Sequence, residues 1–338
     1  MMNKIGVLGA GTWGMALARM LQLSGHDVTV WSALEREIDE FSVTRRHPNL
    51  PGMVIPQDLR FTKDMETLCS GKDILLFAVP SPFVRATARK AASFVPSGQV
   101  IVDVAKGMEA ETLMTMTQVI GDEMKGRGVR LVALSGPTHA EEVARDLPTT
   151  IVSASEDAEA AQMVQDVFSG TCMRVYTNAD VLGVELCGAM KNIIALAAGI
   201  STGLGYGDNT KAAIITRGIA EIARLGTAMG CREQTFGGLA GIGDLIVTAT
   251  SMHSRNNRCG ILLGQGVPPQ EAVRQVGMVV EGINALPAAM RLKARWGVEM
   301  PIVEAVNTIV NQGASTTETV KALMNRDKKP ELPISGRE

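Results

Sequence analysis

Near the start of the 338-residue chain a short apolar run, Ile5–Leu8, passes straight into Gly9-Ala10-Gly11-Thr12-Trp13-Gly14 and then into Trp13–Leu23, whose apolar residues recur at helical spacing. A GxGxxG set between a strand and a helix constrains the chain more than any other feature, because it commits the opening segment to a βαβ unit. The first glycine makes the tight turn, the second lets a pyrophosphate approach the backbone, and the third lets helix and strand pack closely. The helix start offers that anion unpaired N–H groups and a favourable dipole. A plain glycine-rich turn or a methyltransferase-like first turn can carry the same spacing, so the surroundings have to decide.

The surroundings repeat the unit. Strand-like runs follow at Val28–Trp31, Ile74–Val79, Val100–Val104, Leu131–Leu134, Thr150–Ser153 and Met173–Tyr176. Helical spacing falls between them at Phe83–Ala92, Thr112–Met124 and Ala158–Phe168. Such alternation predicts parallel strands joined by right-handed crossovers in one doubly wound sheet. After about Asp180 strand runs cease. Helical patterns take over at Val181–Gly199, Thr210–Met229, Arg255–Leu263, Pro269–Val276, Gly282–Trp296, Ile302–Asn311 and Thr317–Met324. The expected fold is α/β: an N-terminal Rossmann-like doubly wound sheet, residues 1–180, followed by an all-α C-terminal domain, residues 181–338. The first would bind a dinucleotide and the second a substrate. The tail from Asp327 is charged and expected to be loose.

Composition excludes several classes. Formal net charge is −2 with acids and bases intermixed, so no basic face for nucleic acid is expected. Five cysteines, Cys69, Cys172, Cys187, Cys231 and Cys259, form no CxxC, and no metal-binding spacing occurs. The start of the chain lacks the design of a signal peptide, and a reducing cytoplasm fits best. Val181–Leu204 is apolar enough to raise the question of a membrane span. Glu185, Lys191 and Asn192 interrupt it, which favours a buried helix over membrane insertion.

Candidate chemistry gathers in a few places. Lys191, in Gly188-Ala189-Met190-Lys191-Asn192, is the only cation between Arg174 and Lys211. In apolar surroundings its pKa would fall towards neutrality, which suits a proton carrier at the oxygen of a carbinol or ketone. Snorkelling to the surface or pairing with Glu185 is the plain alternative. Gly241-Ile242-Gly243-Asp244-Leu245 is expected as a tight glycine loop carrying one acid. Ser254-Arg255-Asn256-Asn257-Arg258 opens a helix that Ser254 would cap, and its N–H groups with Arg255 and Asn256 could hold a phosphate. Ala105-Lys106-Gly107 and Ser135-Gly136-Pro137-Thr138 follow strands, at the sheet edge where ligands bind in this architecture. His139 has no obvious partner and is read as structural. At the end of the second strand, Val30-Trp31-Ser32-Ala33 offers neither the acid of an NAD site nor an arginine for NADP, with Glu35, Arg36, Arg45 and Arg46 beyond. Cofactor preference is left open.

Taken in order, Gly9–Gly14, Val79-Pro80-Ser81, Ala105-Lys106-Gly107, Ser135-Gly136-Pro137, Lys191-Asn192, Gly243-Asp244-Leu245, Ser254-Arg255-Asn256 and Val280-Glu281-Gly282 resemble the bacterial-type NAD(P)-dependent sn-glycerol-3-phosphate dehydrogenases. The resemblance runs from about Ile5 to Pro301. It implies hydride transfer between NAD(P)H and dihydroxyacetone phosphate, giving sn-glycerol 3-phosphate for glycerophospholipid synthesis, in an enzyme that is commonly a homodimer. It implies Lys191 as the proton acceptor in alcohol oxidation. The cofactor, NAD or NADP, would be contacted by Gly9, Gly11, Thr12, Trp13, Gly14, Lys106, Ala140, Arg255, Val279 and Glu281. The small phosphorylated substrate would be held by Lys106, Gly136, Thr138, Lys191, Asp244, Ser254, Arg255 and Asn256. Thr138 stands where relatives often have Ser, and Ser32-Ala33 lacks the basic residue that many relatives place near the adenosine ribose. Two rivals stay in view: a β-hydroxyacid dehydrogenase, and a non-catalytic dinucleotide-binding protein on the same fold.

Overall fold

The computed structural model describes residues 2–328, 330 and 331. Eight strands form one sheet: β1 (Lys4–Leu8), β2 (Asp27–Trp31), β3 (Arg60–Thr62), β4 (Ile74–Phe77), β5 (Val100–Asp103), β6 (Arg130–Ser135), β7 (Thr149–Ala154) and β8 (Met173–Asn178). Their order is β3-β2-β1-β4-β5-β6-β7-β8. The chain reverses direction of travel across the sheet between β1 and β4, the switch point at which doubly wound folds bind ligands. Residues of β4 and β5 are buried throughout, because helices cover both faces. This explains why these strands read as apolar runs, interrupted only by the buried Asp103, instead of alternating.

One expectation about the sheet is corrected. β6 and β7 are antiparallel, while the other pairs are parallel. A parallel partner needs a crossover of a dozen or more residues, usually with a helix that carries the chain back across the sheet. The 136–148 connection instead holds a site loop and a single short helix, Ala140–Val143, so β7 starts where β6 ends. The short edge strand β3 and the charged helix Glu35–Thr44 were not expected. The Thr112–Met124 helix begins later, at Met116, where Thr115 and Gln118 form a capping box.

Beyond β8 the described chain is helical. Asp180 caps the 23-residue helix Val181–Gly203 by accepting a hydrogen bond from the Gly183 N–H at 3.0 Å. This helix is apolar on all sides and is surrounded by helices Asp208–Ala228, Arg255–Gly264 and Glu281–Trp296, which make it a core element. It is long and apolar enough to cross a membrane, yet 83% of its most apolar window is buried inside the protein. Leu186, Ile193, Ile194 and Leu196 are fully buried, each contributing roughly 1.5–3 kcal/mol.

Glycines let the Arg255–Gly264 helix lie directly on it. A methyl at Gly199 or Gly203 would run into the carbonyl oxygens of Asn257 or Ile261, and one at Gly260 or Gly264 into those of Leu196 or Ile200. This backbone-to-backbone contact brings the start of the second helix beside Lys191 and Asn192. The tail expected to be loose lies, from Leu332 on, outside the described residues.

Candidate active site

Because β1, β4, β5 and β6 are parallel, the loops after them share one edge. The first is the glycine turn. Gly9 has φ +124° and a Cβ there would come within 2.8 Å of the Ala78 carbonyl, so only glycine fits. Gly11 precedes helix Thr12–Leu23 and gives it no side-chain cap. A Cβ on Gly11 would meet nothing within 4 Å, whereas one on Gly14 would strike the Gly9 carbonyl oxygen. The turn thus combines a helix start without a side-chain cap, open space at Gly11 and tight packing at Gly9 and Gly14, which fits a pyrophosphate.

Across the crevice three charges meet. Lys191 Nζ donates to Asp244 Oδ1 at 2.5 Å and to Thr248 Oγ1 at 2.6 Å. Lys106 Nζ donates to Asp244 Oδ2 at 2.7 Å, to the Gly136 carbonyl at 2.8 Å and to Thr138 Oγ1 at 3.1 Å. Lys191 is 4% exposed and Asp244 1%. Burial drives the Lys191 amine down to about 7, with the charge of Lys106 adding to the shift and Asp244 opposing it. Burial alone would raise the Asp244 carboxyl, but the two ammonium groups outweigh it and hold it below the usual carboxylate range.

The local chain explains how Asp244 and Thr248 come together. The expected glycine loop is in fact a π-helical turn, Leu239–Gly243, running into helix Asp244–Thr250. Gly241 permits the turn, since a Cβ there would collide with the Phe236 carbonyl. Asp244 opens the helix, where a carboxylate is favoured by the dipole, and Thr248 lies one turn later on the same face. Thr248 Oγ1 also donates to the Asp244 carbonyl at 2.7 Å. Sequence reading missed Thr248; the i, i+4 spacing from Asp244 would have shown it had the segment been read as a helix.

A chain of amides connects this cluster to the glycine turn. Asn192 Nδ2 donates to the Lys106 carbonyl at 3.3 Å, and Asn256 Nδ2 donates to Asn192 Oδ1 at 3.0 Å. Asn256 Oδ1 accepts from the Gly282 N–H at 2.8 Å. Next to it, Glu281 accepts from the Ser81 N–H at 3.1 Å and from Ser81 Oγ at 2.6 Å. Ser81 follows the loop that begins at Ala78, on which Gly9 rests. Ser81 was quoted in the sequence only as part of a motif; its bond to a residue 200 positions away left no local signal.

Other expected residues take varied places. Ser254 accepts from the Asn257 N–H at 3.1 Å as the cap of helix Arg255–Gly264. Arg255 is half-buried and forms no side-chain hydrogen bond or ion pair with a described residue. Burial lowers its pKa, although Glu281 and Glu141 face it and oppose the shift. The guanidinium therefore feels two carboxylates without being bonded to either, which leaves its donors open to an anion. Thr138 Oγ1 donates to the Gly136 carbonyl at 3.0 Å. Ala140 packs against the sheet core, Val280 is buried, and Val279 precedes it at the entry to helix Glu281–Trp296. His139 is pushed below its ordinary pKa by burial and by Lys191, and its Nε2 is buried without a hydrogen-bond partner among the described residues. The alternative pairing of Lys191 with Glu185 does not form. Glu185 instead accepts from Thr115 Oγ1, the Thr117 N–H and Thr117 Oγ1, tying the long helix to the start of helix Met116–Glu123.

The chain resembles proteins of one kind along almost its whole length. Residues 4–161 match the model for the NAD-dependent glycerol-3-phosphate dehydrogenase N-terminus and residues 180–321 the model for its C-terminus. A Lactobacillus delbrueckii subsp. bulgaricus protein named glycerol-3-phosphate dehydrogenase [NAD(P)+] 2 is 65% identical, covering 98% of this chain and 99% of its own. A glycerol-3-phosphate dehydrogenase [NAD(P)+] of Fusobacterium nucleatum is 48% identical over the same share of each. The crystal structure of glycerol-3-phosphate dehydrogenase from Coxiella burnetii superposes with a TM-score of 0.91 at 34% identity, covering 96% of this chain and 99% of that one.

Proposed function

The chain belongs to the NAD-dependent glycerol-3-phosphate dehydrogenase family, and from that premise we propose that the Lys191–Asp244–Lys106 cluster is where the substrate oxygen gains or loses its proton. The reaction is the NAD(P)-dependent interconversion of sn-glycerol 3-phosphate and dihydroxyacetone phosphate. When bound, the nicotinamide cofactor supplies or accepts the hydride. Gly9, Gly11, Thr12, Trp13 and Gly14 would hold its pyrophosphate, as the open space at Gly11 supports. Ala140, Val279 and Glu281 would line the rest of its path, Glu281 by fixing the Ser81 loop.

The observation that carries this reading is the buried Lys191 amine, near neutral and clamped on a carboxylate it shares with Lys106. As a neutral amine Lys191 takes the hydroxyl proton in oxidation; as an ammonium it returns one to the carbonyl oxygen in reduction. Asp244 and Thr248 fix its position, and Lys106 adds positive charge beside the oxygen, where negative charge develops. Arg255 and the uncommitted N–H groups at the start of its helix bind the phosphate. Gly136, Thr138, Ser254 and Asn256 shape the pocket around the glycerol carbons. Initial rates with sn-glycerol 3-phosphate and with a β-hydroxyacid, each with both cofactors, test the assignment. Turnover of the hydroxyacid alone overturns it.

The same reading extends to organisation. Residues 1–180 form the dinucleotide-binding part and residues 181–338 the helical catalytic part, a division supported by β8 ending at Asn178 and the long helix starting at Val181. The family resemblance supports a homodimer that serves glycerophospholipid synthesis. Five free cysteines support a cytoplasmic setting, and the burial of the apolar helix supports the absence of membrane insertion.

A further inference from the structure

The end of β2 holds a carboxylate that strand position alone does not reveal. Leu8 pairs with Trp31, and the Gly9 N–H donates to the Trp31 carbonyl at 2.8 Å, so the residue after Trp31 lies beside the first glycine of the turn. That residue is Ser32, which is buried. Its hydroxyl accepts from the Leu34 N–H at 3.1 Å and donates to Glu37 Oε2 at 2.6 Å. Both hydrogen-bonding roles of the serine are therefore used to fold the first turn of helix Glu35–Thr44 back over the strand end. Glu37 Oε1 is left without a described partner. The ring of His47, whose Nδ1 accepts from the Asn49 N–H at 3.1 Å, lies close enough to Glu37 to feel its charge.

Among the described residues no Lys or Arg hydrogen-bonds Ser32 or Glu37, and Lys90 lies over the Trp31 ring. Arg45 is spent on the carbonyls of Pro56 and Leu59 and stacks over Phe61. Lys63 is held by Asp39. Arg36 and Arg46 are exposed and make no side-chain bond at the strand end.

We infer that Glu37, held by Ser32, accepts the 2′-hydroxyl of the adenosine ribose and makes this enzyme prefer NADH to NADPH. An acid at the end of the second strand favours a ribose hydroxyl over a phosphate. Here it arrives six residues after the last residue of the strand, from the neighbouring helix. A 2′-phosphate would meet a carboxylate of like charge, with no cation among the described residues bonded to that carboxylate. The inference rests on the dinucleotide reading of the glycine turn given above.

Direct binding tests it without turnover. The full-length protein is titrated with NADH and with NADPH, following nucleotide fluorescence, and each titration is repeated with ADP-ribose or its 2′-phosphate as competitor. NADH should bind at least about tenfold more tightly than NADPH. Glu37→Gln should narrow that ratio, mainly by improving NADPH, and Ser32→Ala should shift it the same way to a smaller extent. Equal or tighter binding of NADPH to the unaltered protein overturns the inference, as does an unchanged ratio in both variants. Failure of the unaltered protein to bind either nucleotide would instead contradict the dinucleotide site itself.

Discussion

Lys191 and Asp244 stand 53 positions apart in the chain and 2.5 Å apart in the fold. One comes from the middle of a helix buried on every side, the other from the first residue of a helix that begins out of a π-helical turn. Removing the acid leaves an amine that is still desolvated and still faces Lys106. Asp244→Asn should push the Lys191 pKa below about 7 and lower the rate of ketone reduction at neutral pH by about 10²-fold or more. A pH–rate profile identical to that of the unaltered enzyme would contradict the role given to Asp244.

The same value sets the direction of the pH dependence. Oxidation of the alcohol needs the neutral amine, so its rate should rise with pH through about 7; reduction needs the ammonium and should fall over the same range. Measuring both directions between pH 5.5 and 9, as roughly the span over which one group titrates, checks the sign.

Arg255 has no acceptor among the described side chains, so its loss should be felt only when phosphate is present. Arg255→Ala should raise the KM for dihydroxyacetone phosphate by about 10–100-fold, with a smaller change in kcat. An unchanged KM would remove it from the phosphate site.

Glu221 offers a stability test far from the chemistry. It accepts hydrogen bonds from the Ile302 N–H at 2.8 Å and the Val303 N–H at 3.3 Å, at the start of helix Pro301–Gln312. Burial raises its carboxyl to about 7 against the pull of those donors. The folded state therefore holds a proton that the unfolded state releases near 4.5, and this contribution is present below that pH and lost as pH rises towards 7. Glu221→Gln, which cannot ionise, should flatten the fall in Tm over that window. An equal fall in both proteins would show that Glu221 does not titrate there.

Contact between the two glycine-bearing helices predicts a steric effect. Gly260→Ala would drive a methyl into the Leu196 carbonyl and should cost about 1–3 kcal/mol in urea unfolding. Gly266→Ala, with open space around its Cβ but φ +86°, separates backbone strain from collision.

Much of the fold was legible because it is written in apolar runs. β1, β4 and β5 are buried on both faces apart from Lys4, and such strands show mainly apolar side chains, with Asp103 the buried exception. β3 was not legible, since Arg60-Phe61-Thr62 has no run of its own and is a strand only because β2 offers an edge. The reversed β7 was hidden because the 136–148 connection reads as any other loop until its missing crossover helix is noticed. At the site, Lys191, Asp244, Lys106 and Asn256 could be named from their motifs. The bonds that join them could not. Ser81 to Glu281 and Asn192 to Asn256 pair neutral or ordinary residues across the fold, and nothing near either member announces the other. Ser32 and Glu37 are close in sequence, but the eye follows the strand to its end and stops before the helix that returns to it.

The account depends most on Lys191 acting on the substrate's proton and not on the cofactor's binding. Turnover and NADH affinity of Lys191→Ala, measured on one preparation, separate the two. The expected result is a fall in kcat of about 10²–10⁴-fold, with the NADH dissociation constant changed by no more than about threefold. Retained turnover, or an affinity for NADH lost along with it, would contradict the account.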